Sequence, residues 1–265
     1  MTLTLGAGPF SKQPGGVFNF RVDGPERVIY WEDYPRRVRA VLGGHTVVDS
    51  EGGKLLHETG ILPVLYLPEA DFDADLLEPT DHASHCPYKG DAAYWTVRAD
   101  GRSEENAVWG YAEPLPGAPP LAGYRAVYWD RMDEWWEDDD RLPGRLRDPY
   151  HRIDVRSSSR PVRVVASDTT VVAESASPLV LYETGLPGRY YIPRVDVRAQ
   201  VVGPTETRTT CPYKSEASYW SVDLGDRLVP DAAWSYEAPF PEAARIAGHL
   251  CFAGEGTETV VGSAS

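Results

Sequence analysis

Asp81, His82, His85 and Cys86 put a carboxylate, two imidazoles and a thiol within six positions of the chain. A thiolate is a nucleophile, and a neighbouring imidazole can take its proton and stabilise the resulting pair. Tyr88 and Lys89 follow directly, adding a hydroxyl and a cation able to hold a developing anion. The same side chains allow a second chemistry, in which His82, His85 and Cys86 ligate zinc and leave one position open for water. A plainer reading makes Cys-Pro a small buried hydrophobe before a rigid turn, with the histidines bonded to backbone. A further reading makes the segment part of a ligand pocket, with Glu58 as a carboxylate and Tyr66, Tyr88, Trp95, Trp109 and Tyr111 as its wall. Aromatic residues at strand spacing also serve as core, and Glu58 also reads as a structural acceptor.

The segment lies inside a duplication. Glu58-Thr59-Gly60 recurs as Glu183-Thr184-Gly185, and Cys86-Pro87-Tyr88-Lys89 as Cys211-Pro212-Tyr213-Lys214. Tyr66, Tyr94, Trp95, Trp109, Tyr111 and Gly123 recur as Tyr191, Tyr219, Trp220, Trp234, Tyr236 and Gly248, always 125 positions on. A repeat of this size is a domain with its own core, not a solenoid unit. The expected order is an N-terminal extension (1–34), a first copy (35–142), a linker rich in Pro, Gly, Arg and Ser (143–159), and a second, partly degenerate copy (160–262).

The second copy is an internal control. It keeps the cysteine, proline, tyrosine and lysine but has Glu206, Thr207 and Thr210 where the first has Asp81, His82 and His85. What both copies keep is what the fold requires, and what one copy keeps points to function. On that logic Cys86, Pro87 and Trp95 lose functional weight and the two histidines gain it.

Each copy reads as a series of short strands. Arg37–Leu42 alternates polar and apolar before Gly43-Gly44 turns the chain, and Val64–Leu67 and Arg189–Ile192 are further strands. Ala92–Arg98 and Ala107–Tyr111 are joined through Ala99-Asp100-Gly101, a hairpin signal. Tyr128–Asp138, with Tyr128, Met132, Trp135 and Trp136 on one helical face, predicts a short helix after the first copy, absent from the second. The fold class expected is therefore mainly β: two tandem antiparallel β-domains with one short helix.

Asp81–Ala92 with Tyr94-Trp95, Asn106–Trp109 and Tyr128–Asp133 resemble the bacterial family called domain of unknown function 427, also labelled nucleotidyltransferase-like. The resemblance covers nearly all of both copies. It implies an architecture similar to the β-tent or Mss4-like fold of methionine-R-sulfoxide reductases and of the cereblon drug-binding domain, and it implies no particular reaction. The Cys-x-x-Cys pairs that hold zinc in such folds are missing here, so no structural metal and no cofactor are expected. Nor does the chain carry a Gly-rich phosphate loop or a paired-carboxylate metal motif.

A net charge of −14 argues against a nucleic-acid partner, which would need basic patches. No apolar stretch is long enough to span a bilayer, and three cysteines without a framework suggest a reducing, cytoplasmic setting. The leading expectation is a small-molecule-binding β-domain with its working pocket in the first copy, lined by Asp81, His82, His85, Tyr88, Lys89, Trp95, Trp109, Tyr111 and Glu58. Beside it stand an enzyme using His82 or His85 as general base with Cys86 as nucleophile, and a protein-interaction module. A homo-oligomer is compatible with all three.

Overall fold

The computed structural model describes residues 3–20, 24–167 and 169–262. Of the N-terminal extension expected at 1–34, residues 1, 2 and 21–23 lie outside the described part. The chain divides into two units, Met1–Asp148 and Pro149–Ser265.

The first unit is built from β1 (Ile29–Asp33), β2 (Val38–Leu42), β3 (His45–Ser50), β4 (Lys54–Glu58), β5 (Ile61–Pro68) and β6 (Leu77–Cys86). It continues with β7 (Gly90–Ala99), β8 (Arg102–Gly110), β9 (Tyr124–Val127), β10 (Glu134–Glu137) and β11 (Asp140–Arg141). Seven strands form one sheet in the order β1-β4-β5-β9-β8-β7-β6, and four form a second, β11-β10-β2-β3. Every pairing is antiparallel. Gly43 and Gly44, at φ +57° and +78°, supply the two positive-φ residues of the tight β2–β3 hairpin.

Because side chains alternate along a strand, the large sheet buries two different sets of residues. Leu55, Leu65, Leu67, Val97, Val108 and Val127 face the small sheet and pack on its Val38, Ala40, Leu42, Val48 and Trp135. The opposite face carries Leu56, Tyr66, Ala92, Tyr94 and Ala126, with Tyr111 and Leu121 from the loop after β8. Trp31, Cys86, Trp109 and Tyr124 pack against that second cluster.

The second unit repeats the plan. Its strands are β12 (Ile153–Ser157), β13 (Val162–Ala166), β14 (Val171–Ser175), β15 (Leu179–Glu183), β16 (Arg189–Ile192) and β17 (Gln200–Val202). They are followed by β18 (Arg208–Cys211), β19 (Ser215–Asp223), β20 (Leu228–Ser235), β21 (Leu250–Phe252) and β22 (Thr257–Val261). The large sheet runs β12-β15-β16-β21-β20-β19, with β17 and β18 both pairing β19, and the small sheet runs β14-β13-β22. Both β5–β9 and β16–β21 match tyrosine to the equivalent partner, Tyr66 to Ala126 and Tyr191 to Cys251.

Two expectations need correction. The copies begin earlier than 35 and 160, because β1 pairs β4 and β12 pairs β15 inside the large sheets. The segment expected as linker is accordingly shared out: Leu142 and Leu146 pack on the first core, and Ile153–Ser157 is the second copy's first strand. The short helix is confined to one 3-10 turn, Trp129–Arg131. Beyond it Glu134–Glu137 is a strand, because pairing with Val38–Val41 places Trp135 between the two sheets.

The described part of the N-terminal extension docks on the turn after β4. Thr59 Oγ1 donates to the Phe10 carbonyl at 2.7 Å, and the Gly60 N–H donates to the Thr4 carbonyl at 2.9 Å. A cavity of about 290 Å3 opens within this extension, lined by Ala7, Pro9, Pro14, Gly16, Val17 and Phe18; its lining carries no titratable side chain.

Candidate functional site

Glu58 ends β4, near one end of the large sheet, while Lys89 sits in the β6–β7 turn at the other end. Five strand spacings separate β4 from β6, about 24 Å were the sheet flat. Yet the Lys89 ammonium donates to Glu58 Oε2, both groups being buried. The sheet is therefore curled, and this ion pair is the clasp across its curled face. Arg27, just before β1, donates to Glu58 Oε1 at 2.7 Å and stacks over Tyr88 at 5.1 Å. Its guanidinium is held above its ordinary pKa first by that hydrogen bond. Lys89 also lies 6.0 Å from the centre of the Tyr111 ring. Burial, helped by the nearby Glu58 carboxylate, raises the hydroxyls of Tyr66 and Tyr111 well above their usual range, so both stay neutral donors.

The clasp recurs. Lys214, in the β18–β19 turn, donates to Glu183 Oε2 at 2.5 Å, and His151 Nε2 lies 3.1 Å from Glu183 Oε1. His151 stands where Arg27 stands, since Arg27 lies two residues before Ile29, the partner of Glu58, and His151 two before Ile153, the partner of Glu183. His151 also packs on Tyr213 at 4.1 Å, as Arg27 does on Tyr88.

From the clasp an array of rings runs over the same face in the first copy. Trp31 meets Tyr66 at 5.4 Å and Tyr124 at 5.5 Å, and Tyr66 meets Trp109 at 6.4 Å. Tyr128 lies over Trp109 at 4.4 Å and is 42% exposed. Burial first, then the Tyr94 hydroxyl, raises the Tyr128 hydroxyl above its ordinary value. His82 closes the array against Tyr94 at 4.4 Å, while the Tyr94 and Ser84 hydroxyls lie 2.7 Å apart.

Residues 30–138 and 154–262 each match the family described as "Domain of unknown function (DUF427)". The chain belongs to that family. No curated protein matches it. Both DUF427 copies start within the first strand of their large sheet and share the Glu–Lys clasp, so the clasp belongs to the shared framework.

The residues singled out in the sequence fall into three places. Glu58, Tyr88, Lys89 and Tyr111 gather at the clasp; Cys86 and Trp109 lie on the same face of the sheet. Trp95 points to the other face, against the inter-sheet core and under Arg125 at 4.1 Å. Asp81, His82 and His85 lie on the exposed edge strand β6. There His85 Nδ1 meets Asp91 Oδ1 at 2.6 Å, with the side chains 63% and 82% exposed. Adjacent strand residues face opposite ways, so the His85 imidazole and the Cys86 thiol are not brought together. The rings missed in the sequence are Trp31, Tyr124 and Tyr128. Comparison of the copies could have found them, because Val155, His249 and Ala253 stand in their places. Cys251 replaces Ala126 in the second DUF427 copy; burial pushes its thiol up to about 12, which leaves it inert. Among the described residues no group of three His, Cys, Asp or Glu side chains is placed to hold a metal ion, and no helix is long and apolar enough to cross a membrane.

Two outcomes follow from this geometry. Replacing His82 and His85 together by threonine, as in the second DUF427 copy, should change unfolding free energy by under about 0.5 kcal/mol in a urea melt, because both are exposed. A loss above about 2 kcal/mol would make them structural. Glu183 titrates differently: burial alone would raise its pKa, but the His151 hydrogen bond and the Lys214 charge lower it from the ordinary 4.5 to about 2. A depressed folded pKa stabilises above the unfolded value and loses that effect as pH falls through the folded one. Between pH 4.5 and 2 the second copy should therefore lose on the order of 2 kcal/mol, after allowance for solvent at the carboxylate's edge. Melts of wild type and Glu183→Gln over that window check it, since the variant should lose this pH dependence.

Proposed function

We propose that the chain binds a small molecule on the ring-lined face of the first DUF427 copy, beside the Cys86–Lys89 turn. The observation that carries this reading is the asymmetry between the copies. Both keep the clasp and the inner rings Tyr66/Tyr191, Tyr94/Tyr219 and Trp109/Trp234. Only the first adds Trp31, Tyr124, Tyr128 and His82, of which Tyr128 and His82 are exposed. Exposed rings contribute nothing to a core that the second copy builds without them, whereas they offer large apolar faces with polar tips to a ligand. The opposed directions of His85 and Cys86 give the general-base and nucleophile reading less support.

The test is a ligand screen by thermal shift on wild type and on a variant carrying Trp31→Val, Tyr124→His and Tyr128→Ala, which gives these three positions the second copy's residues. A ligand that binds only the folded protein raises its melting temperature in proportion to the binding free energy. Compounds that stabilise wild type should leave the variant's melting temperature unmoved. Compounds stabilising both proteins equally would place binding elsewhere.

A further inference from the structure

The second copy holds a cation on its own tryptophan. The Arg189 guanidinium sits over the Trp234 ring at 5.6 Å. Trp234 is the counterpart of Trp109, and Arg189 the counterpart of Val64: Leu181 pairs with Arg189 as Leu56 pairs with Val64. The neighbouring ladder explains how the seat is made. Tyr66 pairs with Ala126 and Tyr191 with Cys251, so the same register carries position 64 opposite 128 and position 189 opposite 253. The second copy thus combines a long cation with the small Ala253. The first combines Val64 with Tyr128, whose ring covers Trp109 and is itself exposed to solvent.

Elsewhere the first copy seats its own cations on rings, Arg27 on Tyr88, Lys89 on Tyr111 and Arg125 on Trp95. Among the described residues none lies over Trp109 or Tyr128. Charge points the same way. Met1–Asp148 carries 26 acidic and 15 basic residues, net −11, leaving −3 of the chain's −14 to the second unit. An acidic surface draws cations towards it, and the electron-rich faces of tryptophan and tyrosine hold them.

The geometry points to a site for an organic cation, a guanidinium or a substituted ammonium, on the Trp109–Tyr128 pair of the first copy. The ligand takes there the role that Arg189 fills from within in the second copy. This rests on the reading of the same face as a small-molecule site and adds the charge of the occupant. It also distinguishes the copies chemically: one is occupied by its own side chain, the other is open to a cation from outside.

The test compares ethylguanidinium, the head of an arginine side chain, with ethylurea, its uncharged planar isostere. Indole N–H resonances of the full chain, assigned with Trp109→Phe and Trp234→Phe, report on each ring. Ethylguanidinium should shift the Trp109 signal saturably, with ethylurea binding about tenfold more weakly. Val64→Arg, which installs the second copy's cation beside Tyr128, should abolish the response while its melt confirms folding. Arg189→Val should make the Trp234 signal newly responsive. Equal binding of the two probes, or a Trp109 response surviving Val64→Arg, would overturn the cation class while leaving the small-molecule reading intact. No response to either probe would also overturn it; the screen with the triple variant then decides separately whether the face binds anything else.

Discussion

Lys89→Met should lower the stability of the first copy by about 3 kcal/mol, because it leaves the Glu58 carboxylate buried without its ammonium partner. Removing one member of a buried pair costs about 3–5 kcal/mol, and the lower figure applies because Arg27 still donates to Glu58 Oε1. Much of that loss reflects an unpaired charge, not the net value of the pair. Glu58→Leu combined with Lys89→Met should accordingly return to within about 1 kcal/mol of wild type, since Arg27, a third of whose side chain is exposed, can turn to water. Urea melts of both variants check the two figures together. A single variant as stable as wild type would mean that Lys89 does not clasp the sheet. A double variant as weak as the single would mean that the ion pair itself, and not its balance of charge, holds the curl.

The clasp was half legible. Glu58 and Lys89 were visible as repeated residues, and both stood among the expected pocket residues. Their pairing was not visible, because they are 31 positions apart and meet only once a seven-stranded sheet has curled. Pattern within a strand reports which face a residue takes, and says nothing about how far the sheet bends. The duplication and the antiparallel β architecture were readable because alternation and turn residues are local signals, as at Gly43-Gly44 and Asp100-Gly101. The starts of the copies were misplaced for a related reason. The strand pairs Ile29–Asp33 with Ile153–Ser157 and Val38–Leu42 with Val162–Ala166 repeat at 124 positions, not 125. Val41 pairs with Thr46 across four intervening residues and Val165 with Val171 across five, so the one-residue difference falls in this hairpin and the offset of 125 does not reach the strands before it. The sequence reading of the site followed the more conspicuous chemistry. Histidines near a cysteine attract attention, whereas Trp31, Tyr124 and Tyr128 are scattered in sequence and converge only through the β1-β4-β5-β9 order.

Trp135 separates fold from function most sharply. Its spacing with Tyr128 and Met132 imitates a helix, yet the equivalent strand of the second copy reads Thr-Glu-Thr-Val-Val, a β-branched run that gives the true state away. In the first copy Trp135 is buried between the sheets, stacked on Trp129 at 4.0 Å with 7° between planes, and its Nε1 donates to the Trp129 carbonyl at 2.9 Å. Trp135→Ala removes a tryptophan buried in the inter-sheet core and should cost about 3–5 kcal/mol. For a unit of this size that is a fall of roughly 10 °C in melting temperature. The ring-lined face lies on the opposite side of the large sheet, so at temperatures where the variant is folded its response to ligand should match wild type. Tyr128→Ala should do the reverse, losing ligand response with little change in melting temperature. If Trp135→Ala melts like wild type, the strand Glu134–Glu137 does not carry the core. If it stays folded but loses ligand response, the two faces of the sheet are coupled and the division of labour between them fails.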